Sequence, residues 1–113
     1  MGYSWPVSTA STLAVTRQWT FLTNHGHALI VLSSNPDARI RDVAEAVGIT
    51  ERAAQAIVAD LEADGYVTKI RVGRRNRYEL HEGLRFRHPV EAGHTVRELL
   101  DIFSRPEAAR AAR

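Results

Sequence analysis

The clearest hydrophobic pattern of the chain lies near its middle. Ala54, Ile57, Val58 and Leu61 follow one another at the spacing i, i+3, i+4 and i+7, which places all four on one face of a helix. The pattern therefore predicts a helix from Glu51 to about Asp64 with this apolar stripe buried.

Residues with capping preferences mark this helix and two shorter ones before it. Thr50 is a favourable N-cap for the helix just described, and Thr23 is one for a helix that ends at about Ser34. Between them, Asp42 to Val47 predicts a short helix with its valines inward. Gly48 ends it, because glycine accepts the left-handed conformation of a helix C-cap.

Two segments outside these helices favour extended structure. Gln18 to Leu22 contains Trp, Thr and Phe, which are enriched in strands. Arg39 and Ile40 follow a Pro-containing turn and are predicted to form a short strand.

The pattern changes to alternation after the longest helix. Tyr66 to Val72 alternates in the manner of a β-strand, and Arg77 to Leu80 is the predicted return strand. Gly73-Arg74-Arg75-Asn76 lies between them and is predicted to be the hairpin connection, because Gly and Asn supply the positive φ that tight turns need.

Composition limits the class of protein. A chain of 113 residues suits one domain, and the lack of cysteine excludes disulfides and thiolate chemistry. The longest apolar run, Ala28-Leu29-Ile30-Val31-Leu32, is too short to cross a bilayer, and the N-terminus does not resemble a signal peptide. We therefore expect a cytoplasmic protein without a membrane partner.

The net charge of +2 conceals an uneven distribution. Residues 36–65 carry 3 basic and 7 acidic side chains, whereas residues 66–88 carry 7 basic and 2 acidic ones. Three of these seven basic residues, Arg74, Arg75 and Arg77, lie in the turn V-G-R-R-N-R-Y. Crowding of like charge on a turn is unfavourable by itself and points to an anionic partner.

The two central helices are joined by V-G-I-T, as in a helix-turn-helix unit. The outer face of the longer helix offers long polar side chains that suit the base edges of the major groove, and the Arg-rich hairpin can reach the backbone or the minor groove. The candidate DNA-binding residues are Thr50, Glu51, Arg52, Ala53, Gln55, Ala56, Arg74, Arg75, Asn76 and Arg77.

The segment I-R-D-V-A-E-A-V-G-I-T-E-R-A-A-Q-A-I-V-A-D-L-E-A-D-G-Y-V, followed by a strand and V-G-R-R-N-R-Y, resembles winged helix-turn-helix transcriptional regulators of the MarR and ArsR kind. The resemblance covers about residues 23–82. It implies a DNA-binding winged helix, usually a homodimer, on double-stranded DNA. Together with the last helix described below, the predicted fold is α+β, with a three-helix core, a β-hairpin wing and an extra C-terminal helix. The family's contacts would fall on Arg52, Ala53, Gln55, Ala56, Arg74, Arg75 and Arg77. The alanines stand where polar readers are common in the family, which lowers the expected base specificity.

A last apolar stripe lies in a helix predicted from Val96 to about Ser104. It covers the domain's own core or forms a dimer interface, and we favour the dimer. The candidate interface residues are Trp19, Phe21, Val96, Leu99, Leu100 and Phe103, with a contribution from the segment around Trp5.

The five histidines, His25, His27, His81, His88 and His94, raise the question of a metal site. Without cysteine or a His pair at helical ligand spacing, packing, capping and surface roles are favoured, so we expect no metal and no cofactor. No nucleophile and base have a spacing that supports catalysis, and an enzyme is not expected.

The sequence thus predicts a flexible segment 1–17, a winged helix-turn-helix over 18–92, a C-terminal helix over 93–104 that is expected to dimerise, and a frayed tail 105–113. The predicted function is that of a DNA-binding transcriptional regulator. The alternative is a winged helix that serves as a protein-interaction module in a larger complex. RNA binding is disfavoured, because exposed aromatic residues for base stacking are not evident.

Overall fold

A computed structural model describes the backbone of residues 19–112 and the side chains of residues 19–104. Three helices come first: α1 (Asn24–Ser34), α2 (Ile40–Val47) and α3 (Glu51–Ala63). The strands β1 (Val67–Val72) and β2 (Arg75–Leu80) follow, and helix α4 (Val96–Ala112) is last. The predicted order of three helices, a hairpin and a final helix is confirmed.

The predicted caps of the first three helices are confirmed. The Thr23 hydroxyl accepts a hydrogen bond from the Gly26 backbone N–H at 3.2 Å, and the Thr50 hydroxyl accepts one from the Ala53 N–H at 3.0 Å. Gly48 ends α2 with φ of 87°, a conformation that costs glycine little. Local chemistry alone therefore defines these ends.

The strand predicted at Arg39 and Ile40 is wrong. Ile40 is the first residue of α2, so this helix begins two residues earlier than predicted. The Asp42 carboxylate accepts a hydrogen bond from the Arg39 backbone N–H at 3.0 Å. This contact satisfies a donor at the helix start and outweighs the weak strand preference of two residues.

The segment predicted to be extended before α1 also lacks a strand. The described residues 19–22 have no regular structure, and the chain bends at Phe21 and Leu22. Gln18 and the predicted flexible segment 1–17 lie outside the described residues. In the described part of the chain, the sheet consists of β1 and β2 only, so no strand is available to pair with residues 19–22.

One hydrophobic core joins the three helices to the base of the hairpin and the start of α4. The α3 stripe predicted from the sequence is buried as a whole. The buried side chains are Ala28, Leu29, Leu32, Ala38, Val43, Ala44, Ala54, Ile57, Val58, Leu61, Val67, Tyr78, Val96 and Leu100.

The hairpin is antiparallel and has a shorter connection than predicted. Its register runs from Val67 opposite Leu80 to Val72 opposite Arg75, so only Gly73 and Arg74 link the strands. Gly73 has φ of 64°, as a two-residue hairpin turn requires. Arg75 and Asn76 were predicted in the connection but begin β2, because strand pairing continues to the turn.

Backbone contacts hold the hairpin against the helical part of the domain at two places. The Tyr78 N–H donates to the Pro36 carbonyl at 2.9 Å, beside the start of α2. At the base of the hairpin, the Tyr66 N–H donates to the Leu61 carbonyl of α3 at 2.8 Å. The hairpin, called the wing below, therefore has a defined orientation relative to α2 and α3.

The last helix is longer than predicted. It continues to Ala112, whereas the sequence predicted an end at about Ser104 and a frayed tail after it. Alanine and arginine dominate residues 105–112, and both are strong helix formers. At its start, the Val96 N–H donates to the Leu84 carbonyl at 2.9 Å, which ties α4 to the loop after the wing.

Candidate nucleic-acid interface

The outer face of α3 is open. Burial of the apolar stripe turns Glu51, Arg52, Gln55 and Ala56 outward, and all four are exposed, whereas Ala53 is half-buried. Among the described residues, neither Arg52 nor Gln55 makes a side-chain hydrogen bond or ion pair. Both long side chains are therefore free to meet a ligand along this face.

Thr50 stands at the N-terminal end of the same face. Its hydroxyl oxygen accepts the capping hydrogen bond of α3, and the residue is exposed. A hydroxyl has one proton and two lone pairs, so capping leaves the proton available to a phosphate oxygen. Thr50 can therefore serve both the helix and a ligand.

Strand register divides the wing into two faces. Ile70 lies opposite Arg77 and Val72 opposite Arg75, so these four side chains share one exposed face. Asn76 lies opposite Arg71 on the other face, where it is half-buried. The connection predicted over Gly73-Arg74-Arg75-Asn76 is thus divided. Gly73 and Arg74 form the turn, and Arg75 and Asn76 lie on opposite faces of β2.

The three wing arginines predicted to bind DNA differ in their contacts. The Arg77 Nε lies 3.8 Å from an Asp37 carboxylate oxygen, so this guanidinium is partly neutralised within the chain. Arg74 and Arg75 are exposed and make no ion pair among the described residues. The positive charges of Arg74 and Arg75, at the turn, are therefore not offset by an acidic side chain of the described residues.

A cleft of about 370 Å³ lies between the wing and the start of α2. Arg39 lines it from the α2 side, and Arg74, Arg75 and Asn76 line it from the wing. Sequence reasoning read Arg39 as part of a short strand and did not include it among the candidate DNA-binding residues. The signal available in the sequence was the R-I-R-D run, whose Asp three residues after Arg39 is a helix-start pattern.

Tyr78 forms part of the floor of this cleft and is 5% exposed. Burial raises the pKa of its hydroxyl above the usual 10.0, and the Glu62 carboxylate raises it further. The phenol is therefore neutral over the physiological range and adds no negative charge to the surface.

A second and larger cavity, of about 720 Å³, lies on the side of α1 and α4. Apolar side chains such as Phe21, Leu29, Phe86 and Leu99 line it, together with Ile102 and several charged residues of the rim. It is separate from the cleft at the wing, with no lining residue in common.

The predicted dimer residues fall into two groups. Val96 and Leu100 are 1% and 5% exposed and belong to the core of the same chain, which removes them from any surface. Trp19, Phe21 and Phe103 are exposed, and Leu99 is half-buried. Ile102, which was not among the predicted residues, is 62% exposed beside Phe103. The segment around Trp5 lies outside the described residues.

Residues 23–68 match a family model described as Winged helix-turn-helix DNA-binding. This match spans α1, α2, α3 and the start of the wing, the elements that form the open surface. The chain has a winged helix-turn-helix. The fold class predicted from the sequence and the resemblance to winged helix-turn-helix regulators are both confirmed.

The winged helix-turn-helix is also similar to a solved structure, that of MepR, a transcription regulator of the Staphylococcus aureus multidrug efflux pump MepA. The similarity covers 99% of this chain and 84% of that chain, with 17% sequence identity and a TM-score of 0.50. At this identity the likeness concerns the fold. No curated protein is significantly similar to the chain in sequence.

Neither the matched family nor MepR is described as an enzyme. Within the described part of this winged helix-turn-helix, His, Asp and Glu side chains form no group of three or more that could hold a metal ion. His25 contacts Asp60 at 2.9 Å and His94 contacts Glu98 at 3.1 Å, so these two histidines each have an acidic partner. No helix in residues 19–112 is long and apolar enough to span a membrane.

Proposed function

We propose that the chain is a DNA-binding transcriptional regulator. The residues from Thr50 to Asp64 lie in the major groove, and the wing contacts the backbone or the adjacent minor groove. The observation that carries the proposal is the pair Arg74 and Arg75, exposed and without an acidic partner among the described residues, at the tip of a winged helix-turn-helix. Guanidinium groups at that position meet phosphates of a duplex held by α3.

Base recognition depends on few side chains. Arg52 can donate two hydrogen bonds to guanine, and Gln55 can pair with adenine. The alanines at positions 53 and 56 allow close approach and distinguish bases weakly. The protein therefore discriminates moderately among sequences, and much of its affinity comes from phosphates. Glu51 lies exposed beside these side chains, where it can accept from cytosine.

We also propose that the regulator acts as a homodimer in the cytoplasm. Exposed Trp19 and Phe21 contact each other edge to face, with ring centroids 5.1 Å apart, and Ile102 and Phe103 are exposed on α4. Exposed apolar side chains of this size are typical of contact surfaces. A two-fold dimer places its recognition helices about 34 Å apart, one turn of the duplex.

The wing supplies the test of DNA binding. Replacing Arg74 and Arg75 together by Gln removes two positive charges from the turn. We expect affinity for duplex DNA to fall, and the slope of log K against log salt to become shallower by up to about 2, because fewer counterions are released. Binding is measured by fluorescence anisotropy at several salt concentrations, on sequences selected from random duplex DNA.

A matched control replaces Arg87 and Arg97 by Gln, which changes the net charge equally. These arginines pair with Asp64 and Glu82 and lie outside the wing. The control variant should keep the salt slope of the wild type. Absence of duplex binding by the wild type, or equal loss in both variants, would contradict the proposed function.

That outcome would favour the second candidate, a protein-interaction module. The observation in its favour is the cavity beside α1 and α4, whose apolar lining includes Phe21, exposed to 92%. A module of this kind binds a partner protein through that surface, and its wing arginines are dispensable.

A further inference from the structure

The cleft between the wing and the start of α2 has fixed walls. The Tyr78 N–H donates to the Pro36 carbonyl at 2.9 Å, which joins the wing to the segment before α2. Tyr78 and Ala38 are buried at 5% and 2% exposure, so the two walls meet in the core. The side chains above this junction are therefore held on opposite sides of a defined opening of about 370 Å³.

Positive charge dominates the opening. Arg39 faces it from one wall, and Arg74 and Arg75 face it from the other. All three are exposed, and none of them makes an ion pair among the described residues. Asn76 adds an amide that can donate two hydrogen bonds.

The acid that lines this cleft is Asp37. Its carboxylate lies 3.8 Å from the Arg77 Nε, so a fourth arginine offsets its charge. Three guanidinium groups around one opening repel one another, and their repulsion is relieved when an anion with several oxygen acceptors enters.

We propose that this cleft binds a phosphate group of the DNA backbone, with Arg39 as a contact residue additional to those of α3 and the wing turn. The inference rests on the proposed function, and it adds the α2 side of the cleft to the surfaces that contact phosphates. Arg74 and Arg75 line both the wing tip and the cleft, so a strand that reaches the tip passes the Arg39 guanidinium. Such a contact positions the protein on the duplex and carries no sequence information.

The first test compares Arg39→Gln with Arg41→Gln. Both positions are exposed and carry the same charge, but Arg41 does not line the cleft. We expect Arg39→Gln to weaken duplex binding about fivefold. The slope of log K against log salt should become shallower by about 0.9, the contribution of one phosphate contact. Arg41→Gln should change both quantities by clearly less.

A second test locates the phosphate. Single phosphates of the bound duplex are replaced in turn by neutral methylphosphonates, and each duplex is titrated with the wild type and both variants. At one position per half-site, the replacement should weaken binding by the wild type and by Arg41→Gln. It should leave binding by Arg39→Gln unchanged, since the partner is already missing.

Asp37→Asn tests the same cleft with a variant that is expected to bind duplex DNA more tightly. It removes the negative charge of the cleft and releases Arg77, so affinity for duplex DNA should rise a few-fold, on the order of fivefold, with a steeper salt slope. Folding of each variant is checked by circular dichroism and by its urea midpoint.

The two proposals fail in different ways. Duplex binding by the wild type, weakened in the wing variant, supports the proposed function. If Arg39→Gln and Arg41→Gln then behave alike, and no methylphosphonate position depends on Arg39, the cleft proposal is overturned while the proposed function stands. If the wild type does not bind duplex DNA, the proposed function itself is overturned.

Discussion

Single residues account for the helix ends of this protein. Thr23 and Thr50 cap their helices through their own hydroxyls, as their positions before apolar-periodic segments predicted. Thr95 does the same for α4 with a reciprocal partner. The Thr95 N–H donates to the Glu98 carboxylate at 2.7 Å, and the Glu98 N–H donates to the Thr95 hydroxyl at 3.4 Å. T-V-R-E is thus a capping box, a signal present in the sequence.

This capping box makes stability depend on pH. The backbone N–H of Thr95 lowers the pKa of the Glu98 carboxyl below its usual 4.5, and a hydrogen bond from His94 lowers it further. Because this pKa is lower in the folded state, the carboxylate stabilises the folded protein at pH values above its unfolded-state pKa. This stabilisation is lost as the pH falls through the folded-state pKa. We expect Glu98→Gln to lower the urea midpoint at about pH 6, with a smaller difference from the wild type at about pH 3.

Asp101→Asn is the control for that measurement. Asp101 is an exposed carboxylate of the same helix that makes no hydrogen bond among the described residues. Its replacement should shift the midpoint little at either pH. A Glu98→Gln midpoint equal to that of the wild type near neutral pH would show that the capping contact does not stabilise α4.

At the level of elements, the wing depends on a two-residue turn. Gly73 has φ of 64°, a conformation that L-residues reach at a cost of about 1–2 kcal/mol. Because the turn is so short, it also determines where Arg74 and Arg75 stand. The turn therefore connects backbone geometry directly to the placement of charge.

We expect Gly73→Ala to lower the free energy of unfolding by about 1 kcal/mol. The added Cβ meets no atom within 4 Å, so the loss comes from the backbone conformation and not from a clash. Gly83→Ala is the matched control, since Gly83 also has free space around it and no positive φ. Urea unfolding measures both variants, and equal values for the two would contradict the argument.

At the scale of the whole molecule, two surfaces are separate. The Arg-lined cleft lies at the wing and α2, whereas the exposed side chains of Phe21 and Ile102 line the cavity beside α1 and α4. This separation allows one face to bind DNA while the other binds a second copy. Helix α4 also contributes to the hydrophobic core of its own chain, because Val96 and Leu100 on its inner face are buried.

We expect Ile102→Glu to convert the proposed dimer to a monomer and to weaken duplex binding, because two linked domains bind two half-sites with a high effective concentration. Ile102 is 62% exposed, so the added charge should leave the fold of the chain intact. Sedimentation equilibrium measures the mass. Val72→Glu, at a 53% exposed position on the wing, should remain dimeric. A monomeric wild type would contradict the prediction.

Patterns local in sequence determined most of the elements. The stripe from Ala54 to Leu61, the caps Thr23 and Thr50, and the ending glycine Gly48 each act within a few residues, so their geometry could be inferred without a structure. The same holds for the alternation of the wing strands and for the concentration of arginine at their turn. The winged helix-turn-helix resemblance followed from these patterns in their order along the chain.

Tertiary structure decided what depends on residues distant in sequence. The register of the wing placed Arg75 and Asn76 in a strand and on opposite faces, and the approach of Asp37 gave Arg77 an internal partner. Packing of α4 on the core buried Val96 and Leu100, which sequence spacing alone had left available to a dimer. Arg74 follows Arg39 by 35 positions in the sequence, and only the folded chain brings the two residues to one cleft. Periodicity records which side of an element is apolar, whereas the partner that covers that side is a property of the assembled molecule.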